Sequence, residues 1–176
     1  MAPSPNKPAR RSRWKPPAQE ALKINFDGAI FAKEKSSGMG VIIRDRQGLV
    51  IASMATRISQ QLRSVEIEAM AASKALEFAR ELGIAEAVLE GDSQVVIMAL
   101  NSKSPVLAPY GSLVQDSLSL SNSFSKLSYS HTKSEGNTVA HNLAKLVVNL
   151  TNCVIWMKDV SSDVLSSYQT DLAGIL

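Results

Sequence analysis

Between Leu22 and Met54 the chain sets out three strand-like segments in a row, with no helical stretch between them, and that order restricts the folds open to it. Leu22-Lys23-Ile24-Asn25-Phe26-Asp27 alternates apolar with polar residues, as a half-buried strand does. Gly38-Met39-Gly40 leads into Val41-Ile42-Ile43-Arg44, Asp45-Arg46-Gln47-Gly48 reads as a turn, and Leu49 to Met54 returns. Short connections predict an antiparallel meander. A helix follows: Ser64 is the expected N-cap, and Ile67, Ala71, Ala75, Phe78 and Leu82 make one apolar stripe that Gly83 ends. Ala87 to Glu90 reads as a buried strand, with Asp92 as the expected cap of a second helix to about Leu100. A helix over about 111–122, a strand over 124–130 and a helix marked by Val139, Leu143, Leu146 and Leu150 complete the pattern. The order predicts an α/β domain on a five-stranded mixed sheet, three antiparallel strands then two parallel, flanked by helices.

Charge divides the chain unevenly. Residues 1–20 hold five cations against Glu20, a net +4, which leaves residues 21–176 at −1 out of a total of +3. Pro, Lys and Arg dominate that stretch, so residues 1–20 read as a disordered basic arm or linker, equally compatible with an organelle transit segment or a nuclear-import patch. Trp14 and the Pro16-Pro17 pair are expected to pin its end onto a domain over 21–150, with 151–176 as an extension packing on it. No apolar run reaches the ~20 residues of a membrane span, so no membrane partner is expected. The single cysteine, Cys153, excludes an internal disulfide and a CxxC metal site, and its apolar surroundings predict a packing role.

Three acids stand in apolar surroundings, where an ionised carboxylate is costly unless paired or metal-bound: Asp27 in KINFDGA, Glu68 in EIEAMAASKAL and Asp92 in LEGDSQVV. His141, in EGNTVAHNLAK, is a fourth group able to hold a divalent ion. Asp27 is expected at the carboxyl end of the first strand and Asp92 just after the fourth, where ligand sites of open α/β sheets lie. If those strands are parallel neighbours, the two carboxylates share one crevice. Glu68 in the first turn of its helix and Asp92 as a cap also have bland readings, worth about 0.5 and about 1 kcal/mol. Neither explains Asp27, which follows a buried strand and precedes Gly28-Ala29.

Taken together, KINFDGA, GMGVIIRD, EIEAMAASKALEFARELG, LEGDSQVVIMALN and SHTKSEGNTVAHNLAK resemble the type 1 ribonuclease H family over about 14–150, closest to its plant version associated with non-LTR retroelement reverse transcriptases. The resemblance implies that Asp27, Glu68 and Asp92 are catalytic metal ligands. His131 matches the family's mobile-loop histidine, and Asn137 the asparagine of the closing motif. His141 stands where the family more often has a fourth carboxylate. It further implies two Mg²⁺ ions, about 4 Å apart, with Mn²⁺ as a substitute favoured by the softer imidazole. The implied activity is endonucleolytic hydrolysis of the RNA strand of an RNA–DNA hybrid by a monomer, leaving a 3′-hydroxyl and a 5′-phosphate.

Substrate contacts are expected from Gly28, Arg63, Ser64, Gln94 and Asn137, with Gly91 and Glu68 near the 2′-hydroxyls. Bacterial relatives place Thr-Asn-Asn before the catalytic Glu, where this chain has Arg63-Ser64-Val65. The basic protrusion of some relatives is missing, since 101–109 carries only Lys103, so the basic arm is expected to supply part of the affinity. A related exonuclease would begin Asp-x-Glu in the first strand, against which Asp27-Gly28-Ala29 argues. The rival from another class is a weakened or inactive, domesticated nucleic-acid-binding module.

Overall fold

The structure, a computed structural model, describes residues 13–102 and 104–175; most of the basic arm and Lys103 lie outside them. Three strands open the domain, β1 (Leu22–Phe31), β2 (Ser36–Arg44) and β3 (Val50–Ile58). They are followed by α1 (Ser64–Glu81), β4 (Glu86–Gly91), α2 (Gln94–Ser102), α3 (Gly111–Leu120), β5 (Lys126–His131) and α4 (Thr138–Leu146). The tail adds β6 (Val154–Met157) and α5 (Leu165–Ala173). The sheet order is β5-β4-β1-β2-β3-β6, with β1, β2, β3 and β6 antiparallel in turn and the β1–β4 and β4–β5 pairs parallel.

The sheet therefore has six strands rather than five. Val154-Ile155-Trp156-Met157 is a run of four apolar residues, too short to show a period of two, yet it alternates half-buried with exposed positions and pairs Trp156 with Ser53. Trp156 packs against the smaller of two cores. Cys153, just before this strand, is exposed rather than packed.

Alternation within β1 and β2 builds both cores. Ile24, Phe26, Val41 and Ile43 face α1, where Ile67, Ala71, Ala75 and Phe78 meet them in the larger core, together with Val96 and Leu100 of α2. On the opposite face Ile42 joins Val139, Leu143 and Val147. Helix α4 lies unusually close to the sheet there. A Cβ on Gly40 would strike the Ala140 carbonyl and Leu143, and one on Gly38 the Ala144 carbonyl, so both positions must lack side chains.

Local signals differ from the sequence reading in two places that bear on function. Arg63, not Ser64, is the N-cap of α1, and no side chain caps the helix. Glu68 then falls beyond the first turn, where Glu66 takes the favourable dipole position. In α2 the cap is Ser93, whose Oγ accepts the Val96 N–H at 3.4 Å while its carbonyl accepts from Ile97. Asp92 is thus released from capping. The expected turn is present: Gly48 has φ +82°, and Asp45 accepts from the backbone of Gln47 and Leu49.

Candidate active site

Strand β1 pairs with β4 only from Leu22–Ala87 to Asn25–Glu90, but with β2 it continues to Phe31. Asp27 is therefore in mid-strand rather than at a strand end, just past the point where the β4 ladder stops. Asp92 follows the last residue of β4, so the parting of the two strands opens the crevice that both carboxylates enter. Glu68 reaches it from α1, its Oε1 accepting the Gly28 N–H at 3.3 Å. Ligand oxygens of Asp27, Glu68 and Asp92 all lie within 4.8 Å of one another.

Like charges this close, partly out of water, cannot all stay ionised. Burial first, then Asp27 and Asp92, push the Glu68 carboxyl up to about 10. Burial and Asp27 push Asp92 up to about 6, against a small opposing pull from His141. Among the described residues Glu68 Oε2 is buried without a donor to it, its carboxyl facing the Asp27 carboxylate. An orphaned buried oxygen inside a cluster of acids is what a hard divalent cation relieves, so the donor set fits such an ion.

His141 joins the group through Asp27: its Nδ1 lies 2.7 Å from Asp27 Oδ2, with the imidazole half exposed and the carboxylate buried. The close seating of α4 on Gly38 and Gly40 brings this ring to the acid. A carboxylate accepts in such a contact, so in it the Nδ1 side of the ring donates. His131 ends β5 beside Gly91, exposed, its Nε2 3.2 Å from the Asp92 carbonyl oxygen. Arg63, Ser64 and Gln94 are exposed at the starts of α1 and α2.

Two residues expected at the substrate are engaged within the protein. The Gly28 N–H is given to Glu68, and a Cβ there would collide with Ile67. Asn137 is 1% exposed, its Nδ2 donating to the Phe26 carbonyl at 2.9 Å and its Oδ1 accepting from Asn25. It braces β1 against the start of α4 instead of reaching outward.

The profile of the reverse transcriptase-like family matches residues 25–147, most of the chain. The chain belongs to that family. Comparison with curated protein sequences finds no match. Among solved structures, ribonuclease H1 of the halophilic archaeon Halobacterium salinarum superposes with a TM-score of 0.67 at 24% identity, over 73% of this chain and 98% of that one. The N-terminal ribonuclease H domain of a Mycobacterium tuberculosis protein gives 0.66 at 22%, over 74% and 95%. A ribonuclease H1 isolated from compost, solved with an RNA/DNA hybrid, gives 0.62 at 20%, over 73% and 96%. This reverse transcriptase-like chain therefore has a ribonuclease H-like fold.

The acid cluster makes the stability of this ribonuclease H-like domain pH-dependent. Both Glu68 and Asp92 have folded pKa values above their ordinary 4.5 and 3.8. The folded state thus keeps protons that the unfolded chain has lost, and stability falls as pH rises. The contribution is complete below about pH 4, is lost for Asp92 through about 6, and goes on being lost for Glu68 toward about 10. Urea midpoints in chelator at pH 5, 7 and 9 should decline in that order, and saturating Mn²⁺ should flatten the decline.

Sequence reasoning missed a set of buried polar groups beneath the acids. Asn25 and Arg44 are fully buried, Glu90 and Lys23 nearly so. The signal was available in part: Asn25 stands two residues before Asp27 on the same face of β1, and Glu90 two residues before Asp92 at the end of β4.

Proposed function

We propose that this protein is a metal-dependent endonuclease hydrolysing the RNA strand of RNA–DNA hybrids. The observation that carries the reading is the convergence of Asp27, Glu68 and Asp92, with Glu68 Oε2 buried and given no donor among the described residues. A domain that only bound a polyanion would gain nothing from three acids in its groove, since without a cation they repel phosphate.

Asp27, Glu68 and Asp92 would hold the divalent ions, Mg²⁺ or Mn²⁺. When bound, such ions supply an activated water and charge stabilisation for the leaving 3′-oxygen. The protein's own groups do the rest. The Gly28 N–H fixes the Glu68 carboxylate, and His141 Nδ1 holds one oxygen of Asp27. Arg63, Ser64 and Gln94 line the approach with donors for backbone phosphates and the minor groove. His131, exposed beside Asp92, is placed to move a proton or ease product departure. The sequence-derived basic arm adds counterion-release affinity.

The test is cleavage of an end-labelled hybrid with Mg²⁺ and with Mn²⁺. Metal-dependent cutting of the RNA strand alone is expected; no cutting with either ion, by folded protein, would sink the proposal and leave a nucleic-acid-binding module. That second reading rests on His141, which stands where the resemblance places a fourth carboxylate and is engaged by Asp27, outside the cluster of Asp27, Glu68 and Asp92. His141→Asp supplies the harder ligand, and should raise the Mg²⁺-supported rate by about tenfold, measured against the Mn²⁺ rate of the same variant.

A further inference from the structure

The acids stand on a second, buried layer that repeats their arrangement. Asn25 precedes Asp27 by two residues in β1, on the same strand face one step below, and Glu90 lies near the end of β4, two residues before Asp92, which follows that strand. Asn137 precedes His141 by four, one helical turn below, and its carbonyl accepts the His141 N–H. Asn25 touches both of the others, as Asp27 above it meets His141 and lies beside Asp92. Asn25 Nδ2 donates to Glu90 Oε1 at 3.1 Å and to Asn137 Oδ1 at 3.2 Å.

Asn25 is the hub, and all its polar capacity is used. Its Oδ1 accepts from Trp14 Nε1 at 2.9 Å and Arg44 Nη2 at 3.2 Å. Glu90 is held further by Lys23 at 3.0 Å and Ser130 at 3.1 Å. Trp14 is 2% exposed and stacks on Arg44, whose Cζ is 4.1 Å from the ring centroid. Arg44 in turn pairs with Asp171 of α5 at 2.7 Å. Trp14 and Asp171 both lie outside the family region of residues 25–147.

We propose that Asn25, Glu90 and Asn137 are a positioning layer that sets the spacing of the metal-ligating groups above them, and that the flanks of the family region, through Trp14 and the Arg44–Asp171 pair, lock this layer. The inference rests on the metal-site reading given above. None of these groups touches the reacting atoms. Their effect is to fix β1, β4 and α4, the elements carrying Asp27, Asp92 and His141, at one mutual distance. Groups hydrogen-bonded directly to metal ligands change metal affinity by about 10–100-fold when lost, and this layer acts one step further out, through the backbone of β1, β4 and α4.

Two variants separate positioning from mere folding. Asn25→Leu removes every polar contact of the hub while keeping its branched shape and number of side-chain heavy atoms. Trp14→Phe removes the indole N–H donor and one ring from the flank but keeps an aromatic ring over Arg44, and its melting curve reports the cost to the fold. Mn²⁺ affinity would be measured by calorimetry or by the spectrum of free Mn²⁺, beside melting curves and a KM-against-kcat split on the hybrid. Asn25→Leu should weaken Mn²⁺ binding by about tenfold or more, and Trp14→Phe several-fold, with kcat lowered and KM unchanged. Wild-type Mn²⁺ affinity in folded Trp14→Phe and Asn25→Leu would overturn the layer while leaving the metal site intact; if Asn25→Leu does not fold, Trp14→Phe decides. A wild-type protein that binds no Mn²⁺ would overturn both the metal site and the layer.

Discussion

Asp27→Asn should reduce hybrid cleavage by at least about 10³-fold, roughly 4 kcal/mol of transition-state stabilisation, and at the same time raise the melting temperature of the metal-free protein. The two effects have one cause. Asp27 is 2% exposed and raises the proton affinity of both Glu68 and Asp92, so its charge is a burden without a cation and indispensable with one. Asn keeps an oxygen to accept from His141 Nδ1 but removes that charge. Single-turnover cleavage assays and calorimetric melts in chelator would check the pair of outcomes. A variant that is both inactive and less stable would show that Asp27 serves the fold rather than the chemistry.

Asp171→Ala should cost about 3–5 kcal/mol, about 10 °C in melting temperature for a domain of this size, although Asp171 lies outside the family region. Its partner Arg44 is 1% exposed, and burial already pushes the guanidinium's pKa down; losing Asp171 leaves that charge without its counter-ion. Burial likewise pushes Asp171 up, so the pair is held by mutual need rather than by a large net attraction. For the same reason the double variant Arg44→Met/Asp171→Leu should recover most of the loss. Urea midpoints of the single and double variants would check both. An Asp171→Ala protein as stable as wild type would mean that water reaches Arg44.

What could be read from the residues alone follows from how far apart the deciding partners are in the chain. The meander, α1 and the crevice acids were legible because each depends on a local pattern. Period-two alternation marks β1, the Ile67–Phe78 stripe marks α1, and a carboxylate against apolar neighbours marks Asp27. Asp92 reads as the cap because Asp and Ser are both good N-caps, and only the helix register gives that place to Ser93. Strand β6 was not legible, since four apolar residues carry no period and their pairing with β3 is a tertiary fact. Nor was the role of Asn25. A buried asparagine in a strand signals a partner, but its partners Glu90 and Asn137 are 65 and 112 residues away.

The Arg44 clasp has a consequence for how this fold can be carried. Trp14 and Asp171 meet at one arginine, and the Arg13 side chain lies against Gly174, so the polypeptide enters and leaves the domain at neighbouring points. A unit with adjoining entry and exit can be spliced into a loop of a host protein, or strung between other modules, without stretching either junction. The buried arginine then acts as the buckle, closing the unit whatever is attached beyond it.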